Sequence, residues 1–413
     1  MSIDLAQFSA LVGGKAVAIR GTAILEPAGG PGDKVFPPSH FVDDKNPKSG
    51  AKYAFETRRV AGEPVRCVLI DSVQSQANRI EEALQSLWHQ KRIRLPVIAV
   101  DFSSSAGIAD LGRSITSLTA PHRIADALLR DCMLGGTLFR LSPLGKSFTD
   151  ASVRDASALF SSCPTALVFG MWDSTGPKGG LGAKFARALV SEIVGMHALE
   201  GVKTSSRVDP ASIVTKAATI YEAKNRDEGW TYDAKLAVEQ KGKPVTFKDG
   251  KVSSINHSNQ PPLIDAVAGG VTIDHARHSV VISLAAIRRL GFGGDETEAG
   301  KARTVLAALA LVGVLAAQER GHDLRSRCLL VPRPGHTLAL EVVAGDGTVQ
   351  ALSLGLEDAI KLYEQAVAAL PARLKFEKAP GEPLATLEPA AKLAHLIRES
   401  RELAAAGSED EGS

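Results

Sequence analysis

Residues 169–197 contain the residue types and spacing that are best suited to chemistry. An apolar run, Thr165 to Trp172, leads into a segment with four glycines, and the apolar spacing beyond it predicts a helix from Leu181 to Met196. Glycines let another backbone approach closely, and a helix start offers free N–H groups with a partial positive charge. With three cations beside it, this segment predicts an anion site for phosphate. The glycines are Gly176, Gly179, Gly180 and Gly182, and the cations are Lys178, Lys184 and Arg187.

A second polar cluster begins the helix predicted from Ser72 to about Gln90, for which Asp71 and Ser72 offer an N-cap. The first turns of this helix carry three amides and one cation, whereas a purely solvated face usually favours Lys and Glu. Because helix composition is a weak guide, two interpretations stay open: nucleic-acid contacts or a solvated face. The four residues are Gln74, Gln76, Asn78 and Arg79.

Cations outnumber acids around and after the glycine segment. Residues 176–207 add Lys203 and Arg207 to the three cations above, against Glu192 and Glu200. Such an excess gives affinity for phosphates through counterion release and carries no sequence information. Aromatic residues are 5% of the chain and match no RNP pattern, which favours a grip on backbone and shape over base stacking. The alternative is that the glycines serve only close packing.

Two further motifs give weaker signals. The loop Gly145-Lys146-Ser147 resembles the end of a Walker motif, but Arg140 stands where that motif needs a glycine. Asp274, His275 and His278 suggest a metal site, yet the residues around them are typical of a strand, where positions i and i+3 point to opposite faces. A place near a nucleic-acid groove or at a subunit contact is favoured for them. The spacing predicts neither a metal site nor a catalytic constellation.

The composition is that of a globular protein. The chain has 413 residues, of which 44% are hydrophobic and 23% charged, and its net charge is +2, so any polyanion site must be a local cluster. Four cysteines lie far apart, which fits a reducing compartment. The first residues lack the pattern of an export signal, and the longest apolar run, Val305 to Ala317, is too short to span a bilayer. We expect a cytoplasmic protein without membrane contact.

The order of the predicted elements indicates an α+β fold. Lys15 to Leu25 reads as a strand broken at Arg20 and Gly21, Val65 to Ile70 as a second strand, and Thr297 to Gln318 as a long buried helix. We predict one elaborated domain over residues 1–407, with insertions at about 27–64 and 200–262. The acidic residues 408–413 are expected to be a disordered tail.

Four stretches together resemble one known family. They read L-I-D-S-V-Q-S-Q-A-N-R-I-E-E-A-L (residues 69–84), L-F-R-L-S-P-L-G-K-S-F (138–148), S-T-G-P-K-G-G-L-G-A-K-F-A-R-A-L-V-S-E-I-V-G (174–195) and K-T-S-S-R-V-D-P (203–210). The chain is similar to the RAMP-superfamily backbone subunit of the type I-G CRISPR system, formerly called I-U. The resemblance spans most of the chain.

The resemblance implies a modified RRM (ferredoxin-like) palm with thumb- and finger-like insertions. Copies would stack along a CRISPR RNA in a Cascade-type complex with other subunits, in a helical homo-oligomer, and would hold the guide for pairing with target DNA. Such subunits are not nucleases and need no cofactor. Type III relatives cleave RNA through an acidic loop residue, which makes Asp43, Asp44 and Asp173 candidates for testing.

The resemblance also implies guide-contacting residues. It places Lys178, Gly179 and Gly180 at the RNA backbone with Lys184 and Arg187 nearby, and Lys203 and Arg207 at the guide or the neighbouring subunit. Residues 27–64 and 224–260 both qualify as the thumb. The remaining expected contacts are Gln74, Gln76, Asn78, Arg79 and Lys146. The alternative function is an enzyme, cleaving nucleotides or RNA, that uses the glycine segment to hold phosphate.

Overall fold

The computed structural model describes residues 3–41, 51–175, 182–265 and 269–405. The chain divides into two compact units. The first comprises Met1–Pro38, Phe55–Ala198 and Ile273–Arg401, and the second comprises Ser39–Ala54, Leu199–Thr272 and Glu402–Ser413. Helices and strands are interleaved along the chain, so the predicted α+β class is confirmed.

The α-helices belong almost entirely to the first unit. Within the described residues they are α1 (Leu5–Gly13), α2 (Val73–His89), α3 (Ala127–Arg130), α4 (Pro143–Thr149), α5 (Ser157–Ser162), α6 (Thr165–Phe169), α7 (Leu284–Arg288), α8 (Glu296–Glu319), α9 (Leu356–Ala368) and α10 (Ala391–Ala405).

Most strands in the described part of the chain are short. In chain order they are β1 (Ala16–Pro27), β2 (Ser39–Phe41), β3 (Ala51–Tyr53), β4 (Phe55–Val60), β5 (Glu63–Asp71), β6 (Ile98–Val100), β7 (Cys132–Leu134), β8 (Thr137–Leu138), β9 (Met171–Trp172), β10 (Lys184–Phe185), β11 (Leu189–Met196), β12 (Leu199–Glu200), β13 (Lys203–Arg207), β14 (Tyr221–Glu222), β15 (Trp230–Thr231), β16 (Glu239–Gln240), β17 (Lys243–Pro244), β18 (Gln260–Asp265), β19 (Val271–Thr272), β20 (His275–Ser283), β21 (His322–Arg325), β22 (Cys328–Pro332), β23 (Ala339–Ala344), β24 (Val349–Leu352) and β25 (Ala385–Pro389).

An antiparallel sheet forms the centre of the first unit. Its strands follow the order β21-β22-β1-β20-β11-β5-β4, with β23 and β24 attached beside β1. Side chains alternate between its faces, so Ile19 of β1 is buried and Arg20 is exposed. A smaller four-stranded sheet has the order β6-β25-β7-β8.

Helix α8 is the main apolar element of the core. It begins at the N-cap Asp295, whose side chain accepts a hydrogen bond from the Glu298 N–H, and it packs against α1, α2 and α9. By length and composition α8 could cross a membrane, but 78% of its most apolar window is buried inside the fold. The structure thus confirms the buried helix predicted at Thr297 to Gln318.

The helix predicted from Leu181 to Met196 is wrong. Residues 184–185 form β10 and residues 189–196 form β11, a central strand with β20 on one side and β5 on the other. The apolar spacing in this stretch also fits alternation, since Leu189, Ser191 and Ile193 are buried and Val190 is exposed. Pairing with strands distant in sequence decides between the two patterns. The apolar run Thr165 to Trp172 forms helix α6 over Thr165–Phe169 and strand β9 over Met171–Trp172.

Strand β1 runs without the predicted break at Arg20 and Gly21. Both residues stay in register with β20, opposite Val281 and Val280. A side chain at Gly21 would meet Leu340 Cδ2 at 2.8 Å and Leu338 Cδ1 at 2.9 Å. The glycine therefore permits close packing on the strand, and the strand continues through it.

The second unit is made of two-stranded ribbons: β2-β3, β12-β19, β13-β18, β14-β15 and β16-β17. Within it Asp209 accepts hydrogen bonds from the Ser258 N–H (2.9 Å) and the Ala211 N–H (2.9 Å). The insertions predicted at about 27–64 and 200–262 overlap the two internal segments of this unit. The single domain over residues 1–407 stays a prediction, and the tail 408–413 lies outside the described residues.

Candidate nucleic-acid interface

One cleft on the first unit brings together four of the predicted RNA-contacting residues. It encloses about 370 Å³, and its lining includes Gln74 and Asn78 of α2 together with Lys184 and Arg187. The remaining wall is contributed by residues before α3 and around β9, among them Pro121, His122, Arg123, Phe169, Gly170, Trp172 and Ser174. The predicted cluster of amides and the predicted cluster of cations therefore meet in one place.

Helix α2 begins with a side-chain cap, and two amides from its first turns line this cleft. The Ser72 hydroxyl caps it by accepting from the Ser75 N–H at 3.2 Å. Gln74 and Asn78, one turn apart, lie exposed on the same face, while Ile80 and Leu84 are buried in the core. The predicted N-cap and helix are confirmed.

The hairpin strands β9 and β10 place a cation over an aromatic ring. Lys184 is opposite Trp172 in the ladder, and its Nζ lies 5.0 Å from the centre of the indole ring. Trp172 is 51% exposed, so one face of its ring can accept another planar group. Sequence reasoning missed Trp172 because it was counted only as the last residue of an apolar run. The available signal was a tryptophan at the end of that run, just before the glycine segment.

A buried ion pair forms the floor of the cleft. The Arg123 guanidinium donates to both Glu81 carboxylate oxygens at 2.7 Å and to the Gly170 carbonyl at 2.9 Å. Its backbone has a φ of 56°, a conformation held by these contacts. Gly170 has a φ of 84°, and a side chain there would meet Arg187 Cγ at 2.9 Å. Arg187 Nε donates to the Phe169 carbonyl, which fixes the cation at the rim.

Burial shifts the titration of these groups. It raises the pKa of Glu81 to about 7, against the opposing effect of Arg123. Burial and the neighbouring Arg123 charge lower the pKa of the Arg187 guanidinium, while Glu81 opposes that shift. The three cations Arg123, Arg187 and Lys184 outnumber the single carboxylate Glu81 of this cluster. The excess positive charge favours an anion such as phosphate in the cleft.

Two predicted contacts of α2 lie elsewhere and serve the fold. Gln76 is 5% exposed, and its Nε2 donates to Asp71 Oδ2 at 2.7 Å. Arg79 Nε donates to the same oxygen at 3.0 Å, and Arg325 reaches the other carboxylate oxygen at 3.1 Å. This network binds α2 to the ends of β5 and β21. An RNA contact by Gln76 or Arg79 stays a prediction.

The other predicted contacts are dispersed. Lys178, Gly179 and Gly180 lie outside the described residues, as does Gly176. Lys146 is exposed on α4, beside Gly145, where a side chain would meet the Phe139 carbonyl oxygen at 1.9 Å. Close packing thus accounts for that glycine.

Lys203 and Arg207 belong to the second unit, on β13. Arg207 Nε donates to the Ser258 carbonyl at 2.9 Å, and its guanidinium also contacts the His257 carbonyl. Residue 256 at the start of this turn has a left-handed backbone, with a φ of 59°. Arg207 therefore holds a turn of the second unit together.

Of the acidic residues considered for RNA cleavage, the structure describes Asp173. Its carboxylate is fully buried and pairs with the buried Arg140 guanidinium. This environment is that of a structural ion pair beside the cleft. Asp43 and Asp44 lie outside the described residues.

The histidines of β20 point to opposite faces of the sheet, as predicted. His275 is half-buried, and His278 is 4% exposed on the helix-covered face, where Ser191 Oγ lies 2.9 Å from its Nε2. Among the described residues, no group of three or more His, Cys, Asp or Glu side chains could hold a metal ion.

The buried imidazole makes the fold sensitive to acid. Burial, with a smaller effect of His322, lowers the pKa of His278 to about 3, whereas an unfolded histidine binds a proton below about pH 6.5. The contribution of the neutral His278 to the stability of the fold is complete above pH 6.5 and is lost as the pH falls from 6.5 toward 3. Because of His278 alone, we expect the free energy of unfolding to be about 2 kcal/mol lower at pH 5 than at pH 7.5.

Urea unfolding at several pH values measures this loss. The variant His278→Asn should show a flatter dependence between pH 7.5 and 5 than the wild type. The matched variant His336→Asn removes an exposed histidine and should leave the dependence unchanged. Equal slopes for wild type and His278→Asn would contradict the buried neutral state.

Comparison with known proteins gives one family match. Residues 19–200 match the family model described as CRISPR-associated protein GSU0053, and this range contains every residue that lines the cleft. The resemblance to CRISPR-associated proteins is thereby confirmed. The crystal structure of Csc2 from Thermofilum pendens is similar at 12% identity and a TM-score of 0.26, over 97% of this chain and 80% of that chain, which does not establish a common fold. None of the curated proteins matches the sequence.

Proposed function

We propose, from the match of residues 19–200 to a CRISPR-associated family, that this protein is a non-catalytic subunit of a Cascade-type complex whose cleft holds the guide RNA. The observation that carries the proposal is the convergence of Gln74, Asn78, Lys184 and Arg187 beside the exposed ring of Trp172. The cations can contact the phosphates of single-stranded RNA, the amides its phosphate and sugar oxygens, and the indole ring one of its bases.

Each side chain has a distinct part in this proposal. Lys184 and Arg187 contact phosphates and give affinity that is independent of sequence. Gln74 and Asn78 offer amides that donate to phosphate and sugar oxygens. Trp172 offers a stacking face to one base. The cleft therefore combines contacts to the RNA backbone with one stacking contact. The low aromatic content of the chain did not suggest the stacking contact.

The larger assembly belongs to the same proposal. The antiparallel sheet with α2 and α8 packed against it would be the RRM-like palm, and the ribbons of the second unit would be the thumb-like part. Copies of the chain would line up along one guide, beside other Cascade subunits, and present the guide to target DNA. The type I-G assignment rests on the sequence motifs.

Replacing Lys184 with alanine tests the cleft. We expect weaker binding to all RNA sequences alike and a salt dependence flatter by about 0.7 log unit for each phosphate that the variant no longer neutralises. Fluorescence titration of labelled RNA at several salt concentrations measures both effects. Lys361→Ala on α9 removes an exposed lysine outside the cleft and is the matched control. An unchanged salt slope for Lys184→Ala would remove this residue from the interface.

Purification of the complete complex separates this function from the enzymatic alternative. A multi-subunit peak that carries RNA of uniform length supports the proposed assembly. A monomer without nucleic acid that turns over nucleotides in the presence of a divalent metal would reject it.

A further inference from the structure

A second cavity lies on the helix-covered side of the central sheet and has no part in the RNA cleft. It encloses about 220 Å³ between α2, β11, β20, the end of α8 and β21. The polar residues that line it include Gln76, Ser191, His278, Gln318 and His322. One ordered water needs only about 10–15 Å³ of such space, so the cavity is larger than a single bridging water requires.

A chain of hydrogen bonds fixes the proton on His278. Gln76 Nε2 donates to Asp71, which leaves Gln76 Oε1 to accept from the Ser191 hydroxyl at 2.8 Å. Ser191 has only one hydrogen to donate, so its oxygen accepts from His278 Nε2 at 2.9 Å. Because burial holds this imidazole neutral, its Nδ1 is a bare acceptor.

The cavity therefore contains buried polar atoms without partners, of which His278 Nδ1 is an acceptor. Among the described residues, His278 Nδ1, Gln318 Oε1 and His322 Nε2 have no hydrogen-bond partner. His278 and His322 are 4% and 5% exposed, so bulk water does not satisfy them. Their rings meet edge to face, with centroids 5.2 Å apart, and both residues line the cavity, so part of its wall is aromatic.

The lining supplies no net charge for a metal ion. Two arginines, Arg79 and Arg320, and two acids, Glu82 and Asp323, line the cavity and balance each other. Burial lowers the pKa values of both histidines, because a positive charge without water around it is penalised in this cavity. A fitting occupant is neutral, planar and able to donate hydrogen bonds.

We propose that this cavity binds an amino-bearing nucleobase, which donates to His278 Nδ1 and Gln318 Oε1. The base can come from a free nucleoside or from one nucleotide of a bound RNA. This site does not depend on the proposed function of the cleft, because the two sites share no lining residue.

Titration of the full-length protein with nucleosides tests the site. With histidine nitrogens labelled for NMR, adenosine and cytidine are expected to shift the His278 Nδ1 signal, and uridine, which lacks the amino group, to bind at least tenfold more weakly. Gln318→Met removes one acceptor and should weaken adenosine binding about tenfold. Glu319→Met, at the next and exposed position of α8, is the matched control and should bind as the wild type does.

Competition with RNA identifies the source of the base. If RNA displaces adenosine, the occupant is a base of that RNA; if both bind together, the occupant is a free nucleoside. Lys184→Ala should leave adenosine binding intact. Loss of RNA binding in the cleft can therefore be distinguished from loss of adenosine binding in this cavity. No response of His278 to any nucleoside would overturn the proposal, as would a response of His278 and His322 to zinc chloride alone.

Discussion

Replacing Arg123 with methionine is expected to lower the free energy of unfolding by about 3–5 kcal/mol. Arg123 and Glu81 are 7% and 1% exposed, and their bidentate contact is the main compensation for burying the carboxylate. Without the guanidinium, Glu81 must stay charged without compensation or bind a proton, and the Gly170 carbonyl loses its donor. Urea unfolding followed by circular dichroism measures the loss.

Two further variants identify the cause. Arg113→Met removes an ion pair in which the arginine is 65% exposed, and it should cost less than about 1 kcal/mol. The double variant Glu81→Leu with Arg123→Met removes both charges and should recover most of the lost stability. If Arg123→Met costs no more than Arg113→Met, the buried pair is not what supports the floor of the cleft.

The rigidity of this floor has a consequence for the site above it. Arg123 joins α2, through Glu81, to Gly170 at the start of the β9–β10 hairpin. The amides of α2 and the cation on β10 are therefore held at a fixed separation. Binding residues that keep their geometry without a ligand lose less entropy when RNA binds.

Elements with a strong local pattern could be predicted from the sequence. Helix α8 follows from its long apolar run and its Asp295 cap, and α2 follows from Ser72 and its amphipathic spacing. Both patterns depend on neighbours within one or two turns. The α+β class follows from the order of such elements.

What depends on distant residues could not be predicted. The apolar spacing of residues 189–196 fits a helix and a strand, and pairing with β20 and β5 makes it a strand. Gln76 looked like a surface amide until the fold buried it beside Asp71 and Ser191. Arg123 gave no signal, because its partner Glu81 lies 42 positions earlier in the chain.

Sequence reasoning identified the cleft residues that follow the glycine segment or the N-cap of α2. Lys184 and Arg187 were recognised as cations after the glycines, and Gln74 and Asn78 as amides after an N-cap. Trp172 was missed, since a single aromatic residue carries no periodic pattern. Its function depends on exposure, which only the hairpin with Lys184 reveals.

Replacing Trp172 with alanine is expected to weaken RNA binding roughly fivefold to 150-fold, the loss of one stacked base. Trp172 is 51% exposed, so removal of its ring should change the unfolding free energy little. Trp172→Phe keeps a stacking face and should retain most of the affinity. Trp230→Ala, which removes a tryptophan of the second unit that is 38% exposed, controls for the general loss of an aromatic surface.

The geometry predicts coupling between Trp172 and Lys184. Because the ammonium lies over the indole at 5.0 Å, each side chain orients the other, and the double alanine variant should lose less affinity than the sum of the two single losses. Fluorescence titration of one labelled RNA against the wild type, the two single variants and the double variant gives the double-mutant cycle. Strict additivity would show that the two side chains contact the RNA independently, and wild-type affinity in Trp172→Ala would show that no base stacks in the cleft.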